Sequence, residues 1–112
     1  KNCIFCKIAS GEVPSDIIYE DDKVVAFNDL NPQSPVHFLV ILEHISSIKD
    51  INEENISIIS HIFLVIKKIA HEKLLDEKGY RIVNNCGEFG GQSVDHLHFH
   101  VLGGREMLWP PG

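Results

Sequence analysis

The chain has 112 residues, enough for one domain and too few for two independent cores. Hydrophobic residues make up 44% and charged residues 23%, a globular balance that argues against a disordered tail, a collagenous chain and a disulfide scaffold. Ten Lys and Arg against sixteen Asp and Glu leave a net charge of −6, which disfavours non-specific nucleic-acid binding but allows a small nucleotide held by main-chain N–H groups.

The N-terminus, Lys1-Asn2-Cys3, shows no apolar signal region, and three cysteines, an odd number, fit a reducing compartment; a cytoplasmic protein is expected. Cys3 to Ser10 reads as a short knuckle of about one helical turn, stopped by Gly11 and Pro14. Ile17 to Glu20 and Lys23 to Asn28 are β-type runs joined at Asp21-Asp22, the pattern of a hairpin. Asn31 to Pro35 is a turn-rich loop, and His37 to Leu42 is a third strand.

Glu53 to Glu77 carries the one long helical signal, with Ile56, Ile59, Phe63, Ile66, Ile69 and Ala70 at helical spacing. Asp50 with Glu53 resembles a capping box, Asn52 is a rival cap, and Lys78-Gly79 is a C-terminal stop. The most apolar run, Ile62 to Ile66, meets Lys67-Lys68 at once, far short of the ~20 apolar residues of a membrane span. Tyr80 to Asn84 and Val94 to Leu102 complete five strands, followed by Gly103-Gly104 and an irregular tail. The sum is one α+β domain over residues 1–112, a mainly antiparallel five-stranded sheet with one helix on a face and a short N-terminal helical knuckle.

The informative segment is Asp95-His96-Leu97-His98-Phe99-His100-Val101. On a strand, alternation places His96, His98 and His100 on one face, about 6.6 Å apart, and Leu97, Phe99 and Val101 on the core face. Three imidazoles are poor core material, because each buried ring nitrogen needs a partner. They suit metal ligation, phosphate donation, or a nucleophile with its relay; the bland alternative is a solvated face of an edge strand. His61 and His71 lie on the helix and read as structural, and Cys86 as a small buried residue.

His96-Leu97-His98-Phe99-His100-Val101 resembles the motif of the histidine triad (HIT) proteins. The likeness runs through Gly90-Gly91-Gln92-Ser93 upstream and Leu102-Gly103-Gly104-Arg105 downstream, and Trp109-Pro110-Pro111-Gly112 is similar to the tail of the Hint branch. Phe27-Asn28-Asp29-Leu30, Pro32-Gln33 and His37 to Ile41 also fit that branch, so the resemblance covers nearly the whole chain.

The resemblance implies a HIT-like fold and a nucleotidyl hydrolase acting at an α-phosphate, with His98 as nucleophile. His100 and His37 would contact phosphate oxygens or hold protons in relay. Ser93 would bond the phosphate or the leaving nitrogen, and Gln92 with the Gly90-Gly91 amides would cradle the phosphate. A neutral imidazole is a competent nucleophile near pH 7, and a covalent intermediate splits one hard step into two. Read without the resemblance, Gly90-Gly91 is a turn, Ser93 a strand-start residue and His37 an exposed strand residue.

The resemblance also places ribose on Asp29 and the base among Ile4, Phe5, Phe27 and Leu30, an apolar slot suited to a purine face. It sets Asn85 near phosphate and ribose, and Trp109 toward the site of a dimer partner. Singly, Asp29 is a turn or cap acid, the apolar residues are core, Asn85 is a turn former and Trp109 a packing residue.

Cys3-Ile4-Phe5-Cys6 is a C-x-x-C, and His44 and His96 are candidate partners for a four-ligand site. Family members with this feature imply structural zinc on Cys3, Cys6, His44 and His96, which would remove His96 from proton relay. A redox pair is the rival, without the expected βαβ context, and two thiols without function remain an alternative. No organic cofactor is expected. Ile41 to His44 departs from the branch by lacking its Pro-Lys pattern and by being one residue shorter, and Asp95 departs in replacing an apolar residue; facing away from His96, it is expected to matter little.

The expected activity is hydrolysis of a purine nucleoside 5′-phosphoramidate or an aminoacyl adenylate. The alternatives are a dinucleoside polyphosphate hydrolase and a nucleotide-binding regulatory module with little turnover. The family also implies a homodimer that joins two five-stranded sheets.

Overall fold

A computed structural model describes residues 3–112; of the domain expected over 1–112, Lys1 and Asn2 lie outside the described residues. Helix α1 is Ile4–Ser10, strands β1, β2 and β3 are Ile17–Glu20, Val25–Asn28 and Val36–Ile41, helix α2 is Ile56–Glu72, and β4 and β5 are Tyr80–Val83 and His98–Gly103. The five strands form one sheet in the order β1-β2-β3-β5-β4, and every neighbouring pair is antiparallel. The architecture is the expected α+β.

Strand alternation divides the molecule into two apolar layers. Ala26, Phe38, Val40, Phe99 and Val101 point to one face and pack with Ile59, Ile62, Val65, Ile66 and Ile69 of α2. Each of these side chains other than Ala26 contributes roughly 1.5–3 kcal/mol by burial, so α2 is held mainly by this face. On the other face Val25, Phe27, Leu39 and Ile41 meet Phe5 and Ile8 of α1. The hairpin between β1 and β2 turns on Asp21, whose carboxylate accepts the Lys23 and Val24 main-chain N–H groups at 2.8 Å each.

Helix α2 is shorter than the periodicity predicts. It starts at Ile56, because Asn52 accepts the N–H groups of Glu54 and Asn55 in a turn, and no Asp50–Glu53 capping box forms. It stops at Glu72, because Leu74 takes a left-handed conformation at φ +61° and turns Leu75 back under the sheet. Phe63 and Ile56 are half-exposed, and Ile62 and Val65 take core places instead. A 17-residue helix drifts enough around its axis that a stripe drawn from a few positions misses its centre.

The last strand differs in a way that matters for the site. It begins at His98, so His96 is not on the sheet. Residues 94–96 form a bend, and the Leu97 N–H reaches across to Ile45 rather than along a ladder. The expected strand start at Val94 is therefore corrected to His98, while the alternation holds: Leu97 joins the α2-side core, and the His96 ring lies on the α1 side with His98, 5.8 Å from the Phe5 ring. Cys86, expected to be buried, is half-buried. Among the described residues no helix is long and apolar enough to cross a membrane.

Candidate active site and metal centre

The face of the sheet that carries α1 also carries the site. Leu39 pairs with His100 and Ile41 with His98 across β3 and β5, so both histidines rise between the aliphatic residues that hold α1. His37, paired with Leu102, lies diagonal to His100, and its Nε2 is 2.9 Å from His100 Nδ1. The Asp29 carboxylate, just beyond β2, lies 3.4 Å from the same Nε2.

The hydrogen-bond partners assign the protons. His98 Nδ1 lies 2.7 Å from the His96 carbonyl oxygen, which can only accept, so Nδ1 carries the hydrogen and Nε2 keeps its lone pair. His37 Nδ1 accepts the Gln33 N–H at 3.0 Å, so the neutral ring carries its hydrogen on Nε2 and donates to His100 Nδ1. His100 then holds its own hydrogen on Nε2. Burial lowers the pKa of His100 to about 4, with the neighbouring His98 and His37 acting the same way against Asp29. Burial also lowers that of His37, again against Asp29. Both rings are therefore neutral at neutral pH.

An elongated groove of about 300 Å³ opens beside these rings. Its apolar wall includes Ile4, Phe5, Phe27 and Leu30, and its polar end Asp29, Ser93, His98 and His100. Phe5 meets Phe27 edge-on at 5.6 Å and the His98 ring edge-on at 5.0 Å, so α1 supplies a wall of the groove and fixes the imidazole. Leu30 is almost fully exposed at the groove mouth.

Four other expected ligand residues lie outside the groove lining. Gln92 donates to the Ser46 and Val94 carbonyls at 2.8 and 3.0 Å and accepts the Gly87 N–H at 2.9 Å, so its amide braces the loop. Asn85 donates to the Gly90 carbonyl at 2.7 Å, and the Gly91 N–H bonds Glu88 within the turn at 3.0 Å. Gly90 packs so closely on the Cys86 backbone that a Cβ there has no room. Trp109 is exposed beyond the far edge of the sheet, with the Arg81 guanidinium 6.0 Å over its ring. Asn84 went unread in the sequence: its side-chain amide donates to the His98 carbonyl at 2.9 Å and anchors the start of β5. A half-buried side chain just past β4 leaves no trace in composition or spacing.

Cys3, Cys6, His44 and His96 converge on one point, their ligand atoms all within 4.8 Å of one another. Cys3 Sγ is 3.2 Å and Cys6 Sγ 3.5 Å from His96 Nδ1, and Cys6 Sγ is 3.3 Å from His44 Nδ1. A tetrahedral zinc site has ligand–ligand edges of about 3.3–3.8 Å, so this set could hold such an ion. The tautomer also fits, since His96 Nε2 donates to the Leu42 carbonyl at 2.9 Å and leaves Nδ1 bare. The shorter Ile41–His44 segment does not keep His44 from reaching. Asp29, His37 and His100 also lie close enough to share a cation, but His37 fails the same test: its Nε2 carries the hydrogen while Gln33 holds Nδ1.

A family model described as scavenger mRNA decapping enzyme C-terminal binding matches residues 2–109. An uncharacterized HIT-like protein of Buchnera aphidicola is 46% identical over 95% of this chain and 94% of its own. The chain belongs to the histidine triad family. A 14 kDa zinc-binding protein of Zea mays is 46% identical over 97% of this chain and 87% of its own. Among solved structures, a HIT family hydrolase of Legionella pneumophila superposes with a TM-score of 0.97 at 47% identity, covering 99% of this chain and all of its own. A histidine triad nucleotide-binding protein of Candida albicans superposes at 0.83 with 34% identity, over 99% and 85% of the two chains. In this HIT protein the triad is thus divided, the first ring facing the cysteines and the other two the groove.

Proposed function

We propose that this HIT protein hydrolyses purine nucleoside 5′-phosphoramidates, or an aminoacyl adenylate, to the nucleoside monophosphate through a nucleotidyl-His98 intermediate, as the Hint branch does. The bond from His98 Nδ1–H to the His96 carbonyl carries this reading, because it leaves Nε2 as a fixed lone pair beside the groove.

The purine lies between Ile4, Phe5, Phe27 and Leu30, and Asp29 accepts the ribose hydroxyls. His98 Nε2 attacks phosphorus as the bond to the leaving group breaks: a phosphoramidate nitrogen takes a proton from water and leaves as ammonia or an amine, whereas an aminoacyl adenylate releases the amino acid as its carboxylate and needs no proton. Ser93 hydrogen-bonds the leaving atom. His98 is then a phosphorylated imidazolium, and its Nδ1–H bond to the carbonyl becomes charge-assisted. His100, steadied by His37, donates its Nε2–H to a phosphoryl oxygen. Water then attacks phosphorus and gives up a proton to solvent, the P–Nε2 bond breaks, and the electron pair returns to His98, which is again neutral with its hydrogen on Nδ1. Asn85, Gly91 and Gln92 shape the loop that sets Ser93 in place.

Zinc would be held by Cys3, Cys6, His44 and His96 and would pin α1 to the sheet as a structural ion. Cysteines used as ligands fit a reducing cytoplasm. A homodimer would cover half-exposed Ile82 on edge strand β4 and Phe63 on α2, and would bring Trp109 toward the partner's groove.

The experiment is AMP release from adenosine 5′-phosphoramidate by the wild type and His98→Ala, with diadenosine tetraphosphate in parallel. Phosphoramidate turnover that vanishes in the variant supports the proposal. Preference for the tetraphosphate points to a dinucleoside polyphosphate hydrolase, and no turnover by a folded, AMP-binding protein points to a binding module.

A further inference from the structure

The proton order of the site depends on a loop that lies outside it. His37 keeps its hydrogen on Nε2 because its Nδ1 accepts the Gln33 N–H, and that donor sits in the turn-rich segment 31–35. Within the segment, Asp29 accepts the Asn31 N–H at 2.8 Å and the Gln33 side chain donates to the Asn31 carbonyl at 2.9 Å. These bonds shape the turn, and the buried Ser34 hydroxyl donates to the Val36 carbonyl at the start of β3, but none of them ties the Gln33 carbonyl to the sheet.

Arg105 supplies that tie. Its Nε and Nη2 both donate to the Gln33 carbonyl, at 3.3 and 3.2 Å, and its Nη1 donates to the Glu106 carbonyl at 3.0 Å. The approach requires Gly104, which has φ +88° and lies so near Pro35 that an added Cβ would come within 2.9 Å of the proline Cβ. The planar guanidinium grips one oxygen with two N–H groups, and a point charge cannot reproduce that geometry.

We infer that Arg105 is a positioning residue that acts through Gln33 to hold the His37 and His100 protons on their Nε2 atoms. When Gln33 swings away, His37 Nδ1 is open to the proton. Its Nε2 then becomes an acceptor, His100 must donate from Nδ1, and His100 Nε2 loses its hydrogen. Asp29 opposes this shift by favouring the hydrogen on His37 Nε2, so loss of Arg105 mixes the tautomers rather than inverting them. The consequence for turnover rests on the nucleotidyl-transfer reading above, whereas the tautomer assignment does not.

The test is nitrogen NMR of 15N-histidine-labelled, zinc-loaded protein, with turnover of adenosine 5′-phosphoramidate, for the wild type, Arg105→Met and Arg105→Lys. The wild type shows His37 protonated on Nε2 alone. Arg105→Met shows both tautomers at His37 and His100 and loses about tenfold in kcat with KM held, as expected for a misplaced donor. Arg105→Lys recovers part of both. Wild-type tautomers in Arg105→Met overturn the inference, whether or not kcat falls. If the wild type turns over no substrate the proposed function fails, and the nitrogen spectra still decide the role of Arg105. Arg105 is exposed, so loss of folding is not expected; were Arg105→Met to unfold, the Arg105→Lys spectra decide in the same way.

Discussion

The His96 carbonyl accepts the Nδ1–H of His98 at 2.7 Å, while the His96 ring turns Nδ1 toward Cys3 and Cys6. One residue therefore joins the candidate metal-ligand cluster to the orientation of the candidate nucleophile. A shift of the backbone at His96 would rotate the lone pair of His98 without touching the groove wall opposite.

Cys6→Ser should weaken metal binding and expose this coupling. At a metal concentration a hundredfold above Kd, binding stabilises the folded chain by about 2.7 kcal/mol, and that is the expected loss. Turnover should fall more than affinity for AMP. Thermal melts with and without a chelator, beside AMP titrations, check both.

Stability should fall with acid through His100. Its folded pKa of about 4 lies below the ordinary 6.5, so between these values the unfolded chain binds more protons. The contribution is whole above pH 6.5 and is lost as the pH falls through about 4, and burial of His37 acts in the same direction. Urea midpoints at pH 7 and pH 5 should drop less for His100→Gln than for the wild type.

Asp21 accepts from Tyr19, His61, Lys23 and Val24 and ties the β1–β2 hairpin to α2. Burial pushes its carboxyl up, but the His61 imidazole, the Tyr19 hydroxyl and the two N–H groups together hold it well below the usual carboxylate range. Asp21→Asn should cost about 1–3 kcal/mol at neutral pH. Combined with His61→Ala the loss should be less than additive, as urea unfolding of the double-mutant cycle would show.

Leu74 ends α2 at φ +61°, where a side chain carries a left-handed penalty, and it is 83% exposed. Leu74→Gly should therefore raise stability by about 0.5–1 kcal/mol. A lower melting temperature in that variant would show that the leucine packs usefully at the turn.

Much of the site was legible because its residues are rare types at fixed offsets. The C-x-x-C and the alternating histidines named Cys3, Cys6, His96, His98 and His100, and His37 and Asp29 followed from the resemblance. The loop roles were less legible: the Gln92 amide faces carbonyls of its own surroundings, and Asn84 rather than Asn85 bonds the His98 backbone. Such choices depend on which carbonyl lies within 3 Å, and no spacing rule encodes that.

By itself the sequence determined the α+β class, the strand and helix order, and the chemical inventory of the site, because period and residue type are local properties. The tertiary structure decided the direction of each histidine. His96, just before β5, meets cysteines 93 and 90 positions earlier, and His37 meets His100 across a diagonal of the sheet. It also decided the tautomers, since a ring nitrogen holds or yields its proton according to the carbonyl or amide that the fold brings to it.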